Sequence, residues 1–238
     1  MTTQAIAAQF NQLFNIQFAD THSLKQSAYK IRHAVYCAEL GWEPEQPSQM
    51  ESDQFDDYAW HCLFRDRSSG EYIGSVRLII PAANRPKQVL PFEKYYQNSI
   101  RTDIVKPMPL SHGRFGEISR LAVLPSFRRR LAEQQDCRKL PDIAIGLYLG
   151  MIALGELCQL NGAYVLMEPR LQRRLRRMGL AFEQIGDEID HNGTQAMFYL
   201  PKEKFSSGLS DELKALYELI YHDLSEQINQ DMALPLGS

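Results

Sequence analysis

The sequence predicts an α/β (α+β) fold in which a mixed, mostly antiparallel central sheet is flanked by helices. Three observations carry that expectation. Alternating apolar runs bounded by Gly, Asp, Asn and Ser clusters give two hairpins, and apolar residues recurring every three or four positions give helices before, between and after them. Residues 143–155, IAIGLYLGMIALG, are apolar on every side, as a buried helix must be. The chain has 238 residues, 44% hydrophobic, 10% aromatic and 23% charged, so it can bury its own core without disulfides or a structural metal. That composition excludes disordered and collagen-like classes.

In chain order, residues 4–14 form a short helix with Ile6, Phe10, Leu13 and Phe14 on one face. Residues 24–40 form a longer helix in which Leu24, Ala28, Ile31, Val35 and Ala38 repeat at helical spacing up to Gly41. Strands at 59–65 and 72–80 flank Asp66-Arg-Ser-Ser-Gly70, a turn of residues that tolerate unusual dihedrals. Residues 81–113 are Pro-rich and irregular apart from a short helix near 91–96, and the strand at 115–124 is closed by Pro125. A basic, polar stretch at 128–139 leads into the buried helix, which Asn161-Gly162 ends. A strand at 163–167, a basic helix at 171–178 and a hairpin of 182–189 with 194–200 around Asp190-His-Asn-Gly193 follow. The last helix, 210–228, aligns Leu213, Leu216, Ile220, Leu224 and Ile228. We expect one domain over 1–208, with a basic insertion at about 126–141, and a C-terminal helix and tail, 209–238, packed on it.

Lys and Arg number 26 against 29 Asp and Glu, a net charge of -3, which argues against a surface that binds nucleic acid as a whole. Cys37, Cys62, Cys137 and Cys158 are scattered without metal or redox spacing, as reduced thiols are. The N-terminus lacks the basic region of a secretory signal, and residues 143–155 fall short of the ~18 apolar residues a membrane span requires. A cytoplasmic protein without a transmembrane segment is expected. His22, His33, His61, His112, His191 and His222 form no metal motif, and no nucleophile signature is present, so neither a metal nor covalent catalysis is expected.

Several polar residues sit where the pattern calls for apolar ones. In FGEISRLAVLP, Glu117, Ser119 and Arg120 occupy both faces of a strand, and Arg77 interrupts the strand GSVRLII. Such residues are either rim groups or paired and functional, because burying them unpaired is costly. Glu51, Asp53, Asp56 and Asp57 crowd the loop ESDQFDD, which lacks the Gly and Glu of a calcium loop. It reads as a solvated acidic loop or as a substrate site.

Taken together, Arg32, Tyr36, Trp42, Glu51-x-Asp53-x-x-Asp56, Arg77 and Glu117-x-Ser119-Arg120 resemble the pattern of acyl-homoserine-lactone autoinducer synthases in type, order and spacing. Tyr36 departs from it, since that family usually has Phe there. The resemblance spans about residues 24–124. LAVLPSFRRR is similar to the central strand and following loop of the wider GNAT acyltransferase fold, and the remainder is more similar to N-acyl amino acid synthases and to acyltransferases associated with exosortase and PEP-CTERM sorting. The last group is favoured.

The resemblance implies a GNAT-like three-layer fold and an N-acyltransferase that moves a fatty acyl group from acyl carrier protein, or acyl-CoA, to the amine of a small amino compound. No cofactor is held; the acyl-phosphopantetheine donor is a co-substrate. Glu117 is the candidate base and Ser119 lines the same cleft. The oxyanion donor of the fold, a backbone N–H of the splayed central strand, maps near 121–123, with Val123 as candidate. Arg32, Tyr36, Trp42, Glu51, Asp53, Asp56, Arg77 and Arg120 would bind the acceptor or order the loop over it. The stretch after the central strand lacks the Gly that cradles a pyrophosphate, which favours a carrier protein as donor. Arg128, Arg129, Arg130, Arg173, Arg174 and Arg177 would meet its acidic surface. A solvated basic face and a nucleic-acid site are the competing readings, the latter disfavoured because interleaved aromatics are missing around the basic helix at 171–178. The rival functions are a homoserine-lactone synthase using S-adenosylmethionine, a non-catalytic acyl-carrier-binding module, and an acetyl-CoA-dependent acetyltransferase. Leu147, Met151, Leu154 and Cys158 form a helix stripe that reads as plain core or as the wall of an acyl tunnel.

Overall fold

The structure, a computed structural model, describes residues 3–82, 84–101, 114–133 and 143–231. The far part of the basic insertion expected at 126–141, Cys137, His112 and the tail beyond Asp231 lie outside these residues. The secondary structure runs α1 (Thr3–Leu13), β1 (Phe14–Phe18), α2 (His22–Arg32), β2 (Ala59–Asp66), β3 (Tyr72–Ile79), α3 (Pro91–Tyr95), β4 (Phe115–Val123), α4 (Pro125–Glu133), α5 (Ile143–Leu157), β5 (Gly162–Met167), α6 (Pro169–Arg177), β6 (Glu183–Gln184), β7 (Ile189–Asp190), β8 (Thr194–Pro201) and α7 (Asp211–Asp231). Among the described residues, one eight-stranded sheet has the order β1-β2-β3-β4-β5-β8-β6, with β7 beside β8, and only β4 and β5 are parallel. The mixed, mostly antiparallel sheet matches the expectation.

Two helical layers cover it. Residues of α1, α5 and α7 share the main apolar cluster with one sheet face, represented by Phe64, Val76, Leu78 and Ile118. The expected stripe of Leu147, Met151, Leu154 and Cys158 is fully buried in that core. On the other face α2 packs Ala28 and Ile31 on Leu63 and Ala122, and α3 adds Leu90 and Phe92 to an aromatic cluster with Phe115 and Tyr164. No helix among the described residues is long and apolar enough to cross a membrane.

The differences from the sequence reading have physical causes. Phe14 leaves the first helix and begins a strand, because alternating Phe14, Ile16 and Phe18 are buried opposite β2. Gln227 of α7 covers the outer edge of that strand, accepting from Phe18 N–H at 2.8 Å and donating to the Ile16 carbonyl at 3.1 Å. The second helix starts where Thr21 caps Leu24 N–H, but after Arg32 it widens into π turns over His33–Glu39. One extra residue per turn breaks the helical stripe, so Val35 and Cys37 are buried and Ala38 is exposed. The described part of the basic stretch after the central strand, up to Glu133, is helical, as α4. The helix end expected at Asn161-Gly162 falls earlier, with Gln159 in the left-handed region at φ 54. Gly162 lies within β5, where a Cβ would come within 2.4 Å of the Tyr199 ring. The segment expected as one strand at 182–189 is two short pieces, β6 and β7.

The parallel pair positions the site. β4 and β5 are paired only from Phe115↔Gly162 to Ile118↔Val165. Beyond this point β4 continues beside β3 and β5 beside β8, so the two strands diverge. Both α4 and α6 begin at that open end, each with a proline in its first turn.

Helix α6 ends on Gly179, whose φ is +95 and where a Cβ would meet the Gly208 carbonyl at 1.9 Å. Gly179→Ala is therefore expected to destabilise the fold by at least ~1 to 3 kcal/mol. Urea denaturation checks this; a midpoint equal to wild type would show that the 208 turn yields freely.

Candidate active site

The acidic loop is built as a cap and then used as a ligand for arginines. Asp53 opens a 3₁₀ helix, Gln54–Tyr58, by accepting Phe55 N–H at 2.9 Å, and Asp56 reaches back to Asp53 N–H at 2.7 Å. The remaining carboxylate oxygens face buried guanidinium groups. Asp56 Oδ1 accepts from Arg32 Nη1 at 2.7 Å and from Arg77 Nη1 at 2.8 Å. Arg77 also grips Asp53 through two nitrogens, at 2.7 and 3.0 Å, and donates from Nε to Ser119 Oγ at 3.0 Å. Arg32 Nε donates to Glu51 at 2.5 Å. The sequence-predicted Arg32, Glu51, Asp53, Asp56, Arg77, Ser119 and Arg120 thus form one connected network.

Burial pushes the Asp56 carboxyl up, but Arg32 and Arg77 outweigh it and hold the group well below the usual carboxylate range. Asp53 is lowered too, with Arg77 overcoming burial. His61, opposite Arg77 on β2, is fully buried with its Nε2 at 3.4 Å from Asp56 Oδ1. Burial takes its pKa down to about 3, so it stays neutral in this network.

Strand alternation alone would send Arg120 to the opposite face from Glu117 and Ser119. A bulge prevents that. Arg77 faces Ser119 and Ser75 faces Ala122, so Arg120 and Leu121 together oppose Val76, and Arg120 takes φ 53. A non-glycine residue held there costs about 1 to 3 kcal/mol. The turn brings Arg120 to Glu43 at 2.7 Å, with Glu51 at 3.3 Å and Asp53 at 3.5 Å. Tyr36 of the π turns donates its hydroxyl to the Leu121 carbonyl at 2.7 Å, and Trp42 stands 6.1 Å from its ring, 40% exposed at the rim.

Glu117 is separate from this network. It is 2% exposed, lies beneath α3 and accepts Phe92 N–H at 2.9 Å. Burial raises its pKa to about 8, against the lowering influence of that N–H and of Arg77. Leu124 N–H binds the Ile73 carbonyl, and Val123 faces Gly74. By strand alternation the Val123 N–H therefore points away from β3, to the side that β5 has left. Sequence reasoning missed Glu43 and Phe92: the first looks like a surface acid beside Trp42, and the second acts through its backbone.

The basic residues divide into two groups. In α4, Arg128 pairs with Glu39 at 2.5 Å, Arg130 pairs with Asp66, and Arg129 is exposed; in α6, Arg173, Arg174 and Arg177 lie on the exposed side. Neither Glu39 nor Asp66 stands out in the sequence as a partner for these arginines.

Arg77→Met would leave Asp56 with Arg32 alone and Asp53 with only the more distant Arg120, so a loss of up to roughly 3 to 5 kcal/mol is expected in denaturant unfolding. An unchanged midpoint would refute the pairing. The two kinds of carboxyl also predict opposite pH dependences. Asp53 and Asp56, lowered on folding, stabilise above their ordinary range near ~4 and lose that contribution as pH falls. Glu117, raised on folding, favours the folded state at low pH, and this is lost as pH rises through about 8. Relative to Glu117→Gln, the wild-type melting temperature should therefore fall between pH 5 and 9, and parallel curves would contradict the shift.

Residues 31–135 match the family model of the acetyltransferase (GNAT) domain. No curated protein matches the sequence. Among solved structures, the chain is similar to the AHL synthase LasI, with a TM-score of 0.61 at 14% identity over 86% of this chain and 95% of that one. It is similar to BjaI, a CoA-dependent acyl-homoserine lactone synthase with SAM and isopentyl-CoA, with a TM-score of 0.59 at 16% identity over 87% of this chain and 89% of that one. FeeM, an N-acyl amino acid synthase from uncultured soil microbes, gives a TM-score of 0.54 at 14% identity over 82% of this chain and 94% of that one. The chain thus has the GNAT fold, and its matched domain supports an N-acyltransferase.

Proposed function

We propose that the protein transfers a fatty acyl group from the phosphopantetheine thioester of acyl carrier protein, or of coenzyme A, to the amino group of a small amino compound. The observation that carries this reading is the divergence of β4 from β5 beyond Ile118, which leaves the Val123 N–H unpaired by β5 on the strand that bears Glu117 and Ser119. A thioester carbonyl lying in that gap meets a fixed backbone donor where its oxyanion develops. The acceptor nitrogen forms a C–N bond as the C–S bond breaks. Glu117, acting through a water, takes the proton from the amine, and the departing thiolate takes one up from solvent. Ser119, held by Arg77, lines the approach, and Trp42 forms the apolar rim.

Exposed Arg129, Arg173 and Arg177, on the two helices that begin at the open end, favour the acidic carrier protein over the free coenzyme. Arg128 and Arg130 contribute less, since Glu39 and Asp66 already neutralise them. The basic helix α4 and the added helix α7 support the exosortase and PEP-CTERM-associated acyltransferases as the narrower group. A second reading, S-adenosylmethionine as acceptor, is favoured by the complete Arg32, Glu51, Asp53, Asp56, Arg77 and Arg120 network. Mass spectrometry of products separates the two, using acyl carrier proteins and acyl-CoAs as donors with pooled amino acids and S-adenosylmethionine. No acylated product from any combination would overturn the proposal.

Glu117→Gln is expected to fold and to lose about 10- to 10⁴-fold in turnover. Wild-type turnover should rise with pH through about 8 as the carboxylate forms, and the Gln variant should lose this rise. An identical pH–rate profile in the two would remove Glu117 as base. Charge reversal at Arg173 and Arg177 should lower kcat/KM with carrier-bound donor by about tenfold at low salt and leave the coenzyme A donor unaffected. Equal effects on both donors would locate the carrier elsewhere.

A further inference from the structure

Arg120 holds its left-handed backbone in the middle of a strand, at a bulge where glycine is the usual choice. Its ion pairs with Glu43, Glu51 and Asp53 restrain the guanidinium and leave the main chain beyond it free to relax. Tyr36 touches both residues of the bulge. Its ring lies 5.5 Å beneath the Arg120 guanidinium, and its hydroxyl donates to the carbonyl of Leu121.

That carbonyl has a particular place. The hydrogen bond from Leu124 N–H to Ile73 fixes the alternation on β4, so Ala122 turns its polar groups to β3, while Leu121 and Val123 turn theirs outward. On the outward side β5 has left, since its pairing with β4 ends at Ile118↔Val165. The Tyr36 hydroxyl supplies the donor that a neighbouring strand would otherwise have given. It is anchored in turn, because the π turns that carry it are tied to α4 by Glu39 and Arg128, and the Tyr36 carbonyl accepts the N–H of Glu43, whose side chain pairs with Arg120.

We infer that Tyr36 is a positioning residue: its hydroxyl and ring clamp the Arg120–Leu121 bulge and so fix the direction of the Val123 N–H, two residues on, into the gap between β4 and β5. This rests on the proposed acyl transfer at that gap. An oxyanion donor acts only through its alignment, so a bulge that relaxes lowers turnover with no loss of substrate contacts.

Tyr36→Phe tests the clamp because it removes the hydroxyl and keeps the ring over Arg120. Two quantities are compared with wild type: kcat and KM for acyl transfer, and backbone amide hydrogen exchange along β4. The expected result is a fall in kcat of about tenfold with KM for donor and acceptor within about twofold. Exchange should quicken at residues 121–123 and stay unchanged in β2, β3 and α5. Unchanged kcat with unchanged exchange at 121–123 overturns the inference. Exchange that quickens throughout the sheet also overturns it, by making Tyr36 a general stabiliser. If wild-type protein transfers no acyl group, the functional reading falls by itself, and the exchange pattern of Tyr36→Phe still decides whether the clamp exists.

Discussion

Asp56 Oδ1 accepts hydrogen bonds from two arginines belonging to different layers, Arg32 at the end of α2 and Arg77 in the middle of β3. That oxygen joins the acidic loop to the helix and to the sheet at once. Arg77 ties the loop to Ser119 and hence to β4, while Arg32 ties it through Glu51 to the start of the π turns. Ions taken out of water at this depth are stable only in one another's company, so each group fixes the position of the rest. The π turns, the 3₁₀ helix and the bulged strand are consequently held as a unit around the gap, with Val35 on Ala122 and Phe55 on Ile79 packed behind the charges.

The same few residues contain carboxyl groups at opposite ends of their titration range. Asp56 stays ionised because two guanidinium groups face it. Glu117, two positions from Ser119 on the same strand, faces Phe92, Phe115 and Tyr164 and receives one backbone N–H. Distance from the arginines therefore separates their roles more than residue type does. The network serves as fixed charge, and Glu117 exchanges a proton near neutral pH, which is what abstraction from an amine requires.

Much of this was legible in the sequence, for identifiable reasons. Arg77 and Glu117 stood out because strands tolerate buried charge poorly, and the spacing of Asp53 and Asp56 is that of a capping box. The long buried helix and both hairpins were visible in apolar period and turn chemistry. What stayed hidden depended on backbone geometry that no residue type announces. Arg120 in a left-handed conformation gives no compositional sign, and without it the alternation puts the guanidinium on the wrong face. The π turns after Arg32 likewise shift every later side chain by one place. Phe92 contributes an N–H that any residue except proline would supply.

The contact of Gln227 with β1 bears on a different property. A sheet's outermost strand presents unpaired amides and carbonyls in a row, and such a row is a template on which another chain can add. Here one side chain from α7 imitates a neighbouring peptide group, accepting from Phe18 and donating to Ile16. The C-terminal helix therefore closes the edge as well as roofing the core. Its detachment would uncover Phe14, Ile16 and Phe18 together with their free backbone groups, so fraying of this helix leads toward association of sheets rather than simple loosening.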